Sequence, residues 1–167
     1  GVRQGLGSKI IMDNIVNNKT HVGIDPYGNL SYQHYDRKYT FSWPERWRGE
    51  FKVDYTDEMR DTLLNDFKEY RNEGKFILAN MTDTLFMCHP DWNEKTYAFV
   101  HFDGPHMSKD VLTEAVWFAN RAAPRARFVF DDTDKFEMSV IAYAMELFGF
   151  KTETMGEKKC LLARSLK

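Results

Sequence analysis

Residues 96–106 hold the feature that most constrains the fold, an apolar run that stops at a cluster of polar groups. From Thr96 to Phe102 only Thr96 and His101 are neither apolar nor aromatic, and Asp103, Gly104, Pro105 and His106 follow at once. A short apolar run bounded by glycine and proline is the pattern of a strand buried in a parallel sheet. Open parallel sheets gather their chemistry at the carboxyl ends of strands. Asp103 and His106 are therefore the first candidates for a functional site.

The rest of the chain alternates helical and strand patterns around this segment. A glycine-rich turn, Gly1 to Ser8, leads into a short helix carrying Ile10, Ile11 and Ile15, with Ser8 as its N-cap. Thr20 to Asp25 reads as a strand ending in a carboxylate, and Pro26 to Asn29 as a turn. Met59, Leu63, Phe67 and Tyr70 recur at helical spacing within one helix over 56–73, stopped by Gly74. Lys75 to Asn80 is the next strand, and Thr84 to Met87 a short helix or turn. A helix from Ser108, its N-cap, runs through Ala119 to Ala122, and Ala126 to Asp132 is a strand ending in acid. A helix from about Phe136 to Phe148 precedes Gly149, and 151–155 with 159–164 form a closing hairpin. This order predicts an α/β fold: a Rossmann-like, doubly wound, mostly parallel sheet with helices on both faces and a C-terminal antiparallel hairpin.

At 167 residues the chain is expected to be one domain, 1–167. A net charge of -2 gives no basic footprint, so nucleic acid is not an expected partner. No apolar run reaches the ~20 residues of a membrane span, and no charged leader with an apolar core is visible. Cys88 and Cys160 form no metal-spaced pair, which favours a reducing, cytoplasmic setting. Residues 30–53 have no clean period but are rich in aromatics, including Tyr32, Trp43 and Trp47. Such a stretch reads either as a lid that covers a cofactor and shapes the pocket of a small-molecule substrate, or as aromatics that pack on the sheet edge. Its aromatics leave a homodimer open.

Two constellations carry chemistry. Gly1, Gly5 and Gly7 precede a helix, and Asp25 ends the following strand. Glycines let backbone approach a ligand, helix N-termini favour anions, and an acid about 20 residues on can bind ribose hydroxyls. The glycine spacing is not GxGxxG, which disfavours a nicotinamide cofactor. The second constellation is Asp103 and His106 with Asp131 and Asp132, all just past the ends of two strands. Three carboxylates and an imidazole suit Mg²⁺ or another divalent cation, which could activate a substrate hydroxyl. His106 is the candidate general base. His101, inside a strand, reads as a core residue, and His21, His34 and His89 have no evident partners.

The whole chain resembles the class I S-adenosylmethionine-dependent methyltransferases, and within them the metal-dependent sugar and macrolide O-methyltransferases. The residues that carry the resemblance are Gly1 to Ser8, Gly23-Ile24-Asp25-Pro26-Tyr27, Asp103-Gly104-Pro105-His106, Asp131-Asp132 and the terminal hairpin. The resemblance implies that the turn from Gly1 through Gly5, Gly7 and Ser8 holds the methionine part of the cofactor. It implies that Asp25, with Pro26 and Tyr27, holds the ribose, and that Met81 and Thr82 lie beside the adenine. It makes Asp103, Asp131 and Asp132 the metal positions, with Asp103 also beside the cofactor, and His106 the base. The family's glycine turn follows a central strand with an acidic end, whereas this sequence starts at Gly1. Either residues upstream are missing from it or another segment fills the gap, since an unfilled gap would leave neighbouring backbone groups unpaired. The leading expectation is methyl transfer to a hydroxyl of a small polar acceptor. The alternative is a non-catalytic module that keeps the cofactor fold.

Overall fold

The structure, a computed structural model, describes residues 1–16, 19–28 and 56–165. The aromatic stretch read as a lid, residues 30–53, lies outside them. The described residues fall into two compact units, residues 1–28 with 56–86 and residues 87–165. The architecture is mixed α/β, with parallel strand pairs, helices and a C-terminal hairpin.

In the first unit Gly5 adopts a left-handed φ of 83° and starts helix α1, Leu6–Asn14. The expected cap, Ser8, lies inside the helix instead and is buried, with its hydroxyl 2.9 Å from Nε2 of His21. The sharp turn is made by glycine, which takes positive φ without a Cβ penalty, so no side-chain cap is needed to redirect the chain. Strand β1, His21–Ile24, pairs in parallel with β2, Phe76–Ala79, in register from His21 with Phe76 to Ile24 with Ala79. Between them, Thr56 caps α2 (Asp57–Asp66) by accepting the Met59 N–H at 3.1 Å. The single helix expected over 56–73 is broken at Phe67 (φ -97°, ψ 17°), and α3, Lys68–Asn72, follows. The Phe67 ring meets Tyr70 and Phe76 edge-on, at 5.9 and 5.1 Å. Val2, Met12, Tyr27, Leu63, Phe67 and Phe76 form the core of this unit. Helix α4, Asp83–Cys88, follows β2.

The second unit holds α5 (Pro90–Asn93), β3 (Tyr97–Phe102), α6 (Ser108–Ala119), β4 (Ala122–Asp131), α7 (Met138–Glu146), β5 (Phe150–Met155) and β6 (Lys159–Arg164). Its strands lie in the order β3-β4-β6-β5, with β3 and β4 parallel and the other pairs antiparallel. Ala122, expected in the helix, is the first residue of β4, where its carbonyl accepts from the Arg164 guanidinium. Ser108 is not the cap but the first helical residue, and its hydroxyl accepts the Glu137 N–H at 3.0 Å. Strand β3 is buried at Val100 and Phe102, but Ala98 and Phe99 are exposed. Phe102 stacks on Phe130 at 4.4 Å, and Phe128 packs on Phe150 at 4.3 Å. Burying each such ring is worth about 1.5–3 kcal/mol, which fixes the ends of β3 and β4 side by side.

One continuous sheet is not seen among the described residues. They form a two-stranded sheet and a four-stranded sheet, with β2 the bonded neighbour of β1 and β4 the bonded neighbour of β3. Among the described residues no helix is long and apolar enough to cross a membrane.

Candidate functional site

The glycine turn is tied to the end of β1 by a carboxylate. Oδ2 of Asp25 accepts the amide N–H groups of Val2 at 2.7 Å and Arg3 at 2.9 Å, and the Tyr27 hydroxyl donates to the Arg3 carbonyl. Asp25 is 2% exposed and Tyr27 is buried beside it in sequence. Two charge-assisted bonds to one oxygen hold the turn's backbone in place. The glycines differ in role. A Cβ at Gly5 would stand 2.4 Å from Cδ1 of Leu63 and 2.6 Å from Cζ of Phe67, whereas one at Gly7 would meet nothing within 4 Å. Gly5 therefore serves packing and backbone conformation, and Gly7 leaves the helix start approachable. Helix α1 begins without a side-chain cap, so its first-turn amides suit an anionic ligand group. These features fit a cofactor carrying a carboxylate.

Pro26, Met81 and Thr82 are half-buried near the ends of β1 and β2. The Met81 N–H returns to the Ala79 carbonyl at 2.8 Å, and Oγ1 of Thr82 accepts the Leu85 N–H at 3.2 Å, capping α4.

The second constellation divides at Asp131 and Asp132. Asp132 takes a left-handed φ of 50°, so the two consecutive carboxylates diverge. Oδ2 of Asp132 lies 3.4 Å from Nε2 of His106. Asp103, His106 and Asp132 each offer a ligand atom within 4.8 Å of the other two. Asp131 instead pairs with the ammonium of Lys159, opposite it across β4 and β6, and lies 3.7 Å from Nε2 of His101. Three of the four predicted residues thus converge, and Asp131 is directed elsewhere. Two carboxylates and one imidazole are a donor set that fits a divalent cation.

Burial sets the electrostatics of this end of the sheet. His106 is 4% exposed and stacks on Phe136. Burial pushes its pKa below the usual imidazole range, against the pull of Asp132 and Asp103, and burial lowers that of His101 against the pull of Asp103. Burial pushes the Asp131 carboxyl up, but the Lys159 ammonium and the Asp132 N–H outweigh it and leave the pKa lowered. His101, read as a core residue, is 26% exposed at its side chain and faces Asp131. Lys159 was not singled out by sequence reasoning. It is the β4–β6 register that sets it opposite Asp131, a pairing between strands far apart in sequence. His21 and His89 also have partners, Ser8 for the first and the Asp91 N–H for the second.

A mixed α/β protein with its polar groups gathered at strand ends is the class these features define. More particularly, residues 1–133 match the family model described as a methyltransferase domain, and the chain belongs to that family. The matched span takes in the glycine turn, Asp25 and the acidic ends of β3 and β4. Comparison with curated proteins gives no match.

Proposed function

We propose that this chain is an S-adenosylmethionine-dependent O-methyltransferase acting on a hydroxyl of a small polar acceptor. The match of residues 1–133 to the methyltransferase family carries the reading. The motifs that resemble those of the metal-dependent sugar and macrolide O-methyltransferases support the O-methyl part of the reading. The reading brings with it one doubly wound, Rossmann-like domain acting in the cytoplasm, and it leaves a homodimer open.

In this reading the turn from Gly1 to Ser8 receives the methionine end of the cofactor at the uncapped start of α1. Asp25 shapes that turn through Oδ2 and offers its other oxygen to the ribose, next to Pro26 and Tyr27. Met81 and Thr82 flank the adenine. Asp103, His106 and Asp132 hold a divalent cation, and their mutual closeness supports that assignment over one using Asp131. When bound, the cofactor supplies an activated methyl group and the cation a Lewis acid that lowers the pKa of the acceptor hydroxyl. Asp103, the exposed member, orients that hydroxyl. The burial of His106 and the approach of its Nε2 to Asp132 favour a ligand role over that of a free general base.

Calorimetric titration with S-adenosylhomocysteine and with NAD, each with and without Mg²⁺, tests the proposal. Binding of S-adenosylhomocysteine alone among the two nucleotides is the expected result. Binding of NAD in its place would overturn it. Cofactor binding without methyl transfer to any hydroxyl acceptor would favour a non-catalytic module.

A further inference from the structure

The two consecutive aspartates at the end of β4 do different jobs. Asp132 belongs to the group with Asp103 and His106, while Asp131 faces Lys159. Yet Asp131 acts on its neighbour. Its Oδ1 accepts the backbone N–H of Asp132 at 2.9 Å, while its Oδ2 is held by Lys159. The other side of the Asp132 peptide is held too, since its carbonyl accepts the Lys135 N–H at 2.8 Å. Between these two bonds Asp132 keeps its left-handed φ of 50°. That conformation costs an ordinary residue roughly 1–2 kcal/mol and persists only where neighbours enforce it. It is also the turn that sends the Asp132 carboxylate to His106 rather than along the strand.

We propose that Asp131, anchored by Lys159, is a positioning residue that fixes the backbone of Asp132 and thereby aims its carboxylate at the cation site. The proposal rests on the reading that Asp103, His106 and Asp132 bind a divalent cation. Lys159 is well placed for the task. It stands opposite Asp131 in the β4–β6 ladder, and the Thr133 N–H bonds to the carbonyl of Lys158, the residue before β6, at 3.1 Å, so the start of β6 and the turn leading into it flank Asp132 on both sides. The anchor is a strand-borne partner, the rigid kind of support that orients a metal ligand from behind.

The test is Mn²⁺ binding, followed by electron paramagnetic resonance, in the wild-type chain and in variants with intact circular dichroism. Asp132→Ala should abolish binding. Asp131→Ala should weaken it by about tenfold or more, the size expected of outer-shell partners. Asp131→Asn keeps an oxygen for the Asp132 N–H and should stay within about threefold of wild type, whereas a direct ligand would lose its anionic oxygen and weaken well beyond that. Lys159→Ala should weaken binding by a few-fold. By charge alone, removing a cation near a dication site would tighten it, so the direction of this change separates positioning from simple electrostatics. Wild-type binding with Asp131→Asn as weak as Asp131→Ala, or with Lys159→Ala unchanged or tighter, would overturn the positioning role and leave the cation reading standing. No Mn²⁺ binding by the wild-type chain would remove the cation reading itself, and the positioning role with it.

Discussion

The amide nitrogen of Val2 lies 2.7 Å from Oδ2 of Asp25, and this contact joins the glycine turn to the end of β1. A buried carboxylate that accepts two backbone N–H groups leaves both without an acceptor when it is removed. Each orphaned N–H costs about 1–3 kcal/mol when it stays away from water. Asp25→Ala is therefore expected to destabilise the chain by about 2–4 kcal/mol and to abolish S-adenosylhomocysteine binding. Asp25→Asn retains an acceptor and should lose about half as much stability. Urea unfolding and calorimetry check both, and an Ala variant as stable as wild type would contradict the role of this bond.

The glycines of the turn should respond in opposite ways. Gly5→Ala places a Cβ 2.4 Å from Leu63 at a residue with φ of 83°. Overpacking and left-handed strain together should cost about 2–4 kcal/mol. Gly7→Ala meets open space inside α1 and should be neutral or stabilise by up to about 0.5–1 kcal/mol, while blocking the ligand's approach. Comparing thermal melts with S-adenosylhomocysteine affinity separates the two. Equal effects of the two substitutions would show that packing does not distinguish these positions.

At the acidic end of β3, Asp103→Asn and His106→Gln are expected to reduce methyl transfer by about 10²-fold or more. Both should leave S-adenosylhomocysteine affinity within a few-fold of wild type, as a titration would show. Full turnover in both variants would dismiss the Asp103–His106–Asp132 group as the seat of the chemistry.

Much of this was legible in the sequence because it depends on pattern. Four strands were recognisable from apolar runs that end in Asp or Asn and the closing pair from the turn at Gly156-Glu157-Lys158, and Gly74 and Gly149 end their helices with φ of 70° and 80° as glycines at that place should. The misses have a common physical cause, which is that tertiary contacts decide between locally equivalent choices. Ala122 continues the apolar spacing of α6 as well as it begins β4, and only its partner across the sheet settles the matter. Phe67 sits on the correct helical face, yet the helix breaks there. The division of labour between Asp131 and Asp132 depends on one backbone angle and on a lysine 28 residues further on. Composition and spacing hold no trace of either.

The two cysteines should be chemically distinct. Cys88 is exposed, while Cys160 is buried in β6, where burial pushes its thiol pKa up. Only a thiolate reacts readily. An aromatic disulfide reagent at neutral pH should label one thiol per native chain quickly and the second only after denaturation. Equal rates would show that the β6 core opens freely.

Tyr97 gives the fold a pH dependence. Burial pushes its phenol up to about 12, while an unfolded tyrosine titrates near 10. The folded chain thus holds this proton more tightly, and the contribution is complete below about pH 10 and disappears as pH rises toward about 12. Tyr97→Phe removes that dependence. Urea titrations at about pH 9 and about pH 11 should show a smaller loss of stability in the variant than in wild type. An identical loss would mean that the phenol ionises normally.

The parallel pair β1 and β2 joins residues separated by the 51 positions between Ile24 and Phe76. Closing a connection of that size is costly once but almost indifferent to further length, since doubling it adds only ~0.6 kcal/mol. Added length between these strands is therefore tolerated at little thermodynamic penalty wherever it leaves Asp25, Tyr27, Leu63 and Phe67 of that span in place. The glycine turn and the strand-end acids have no such freedom, because their geometry is set atom by atom. Length variation between β1 and β2 would accordingly be recorded well before any change in the glycine turn or the strand-end acids.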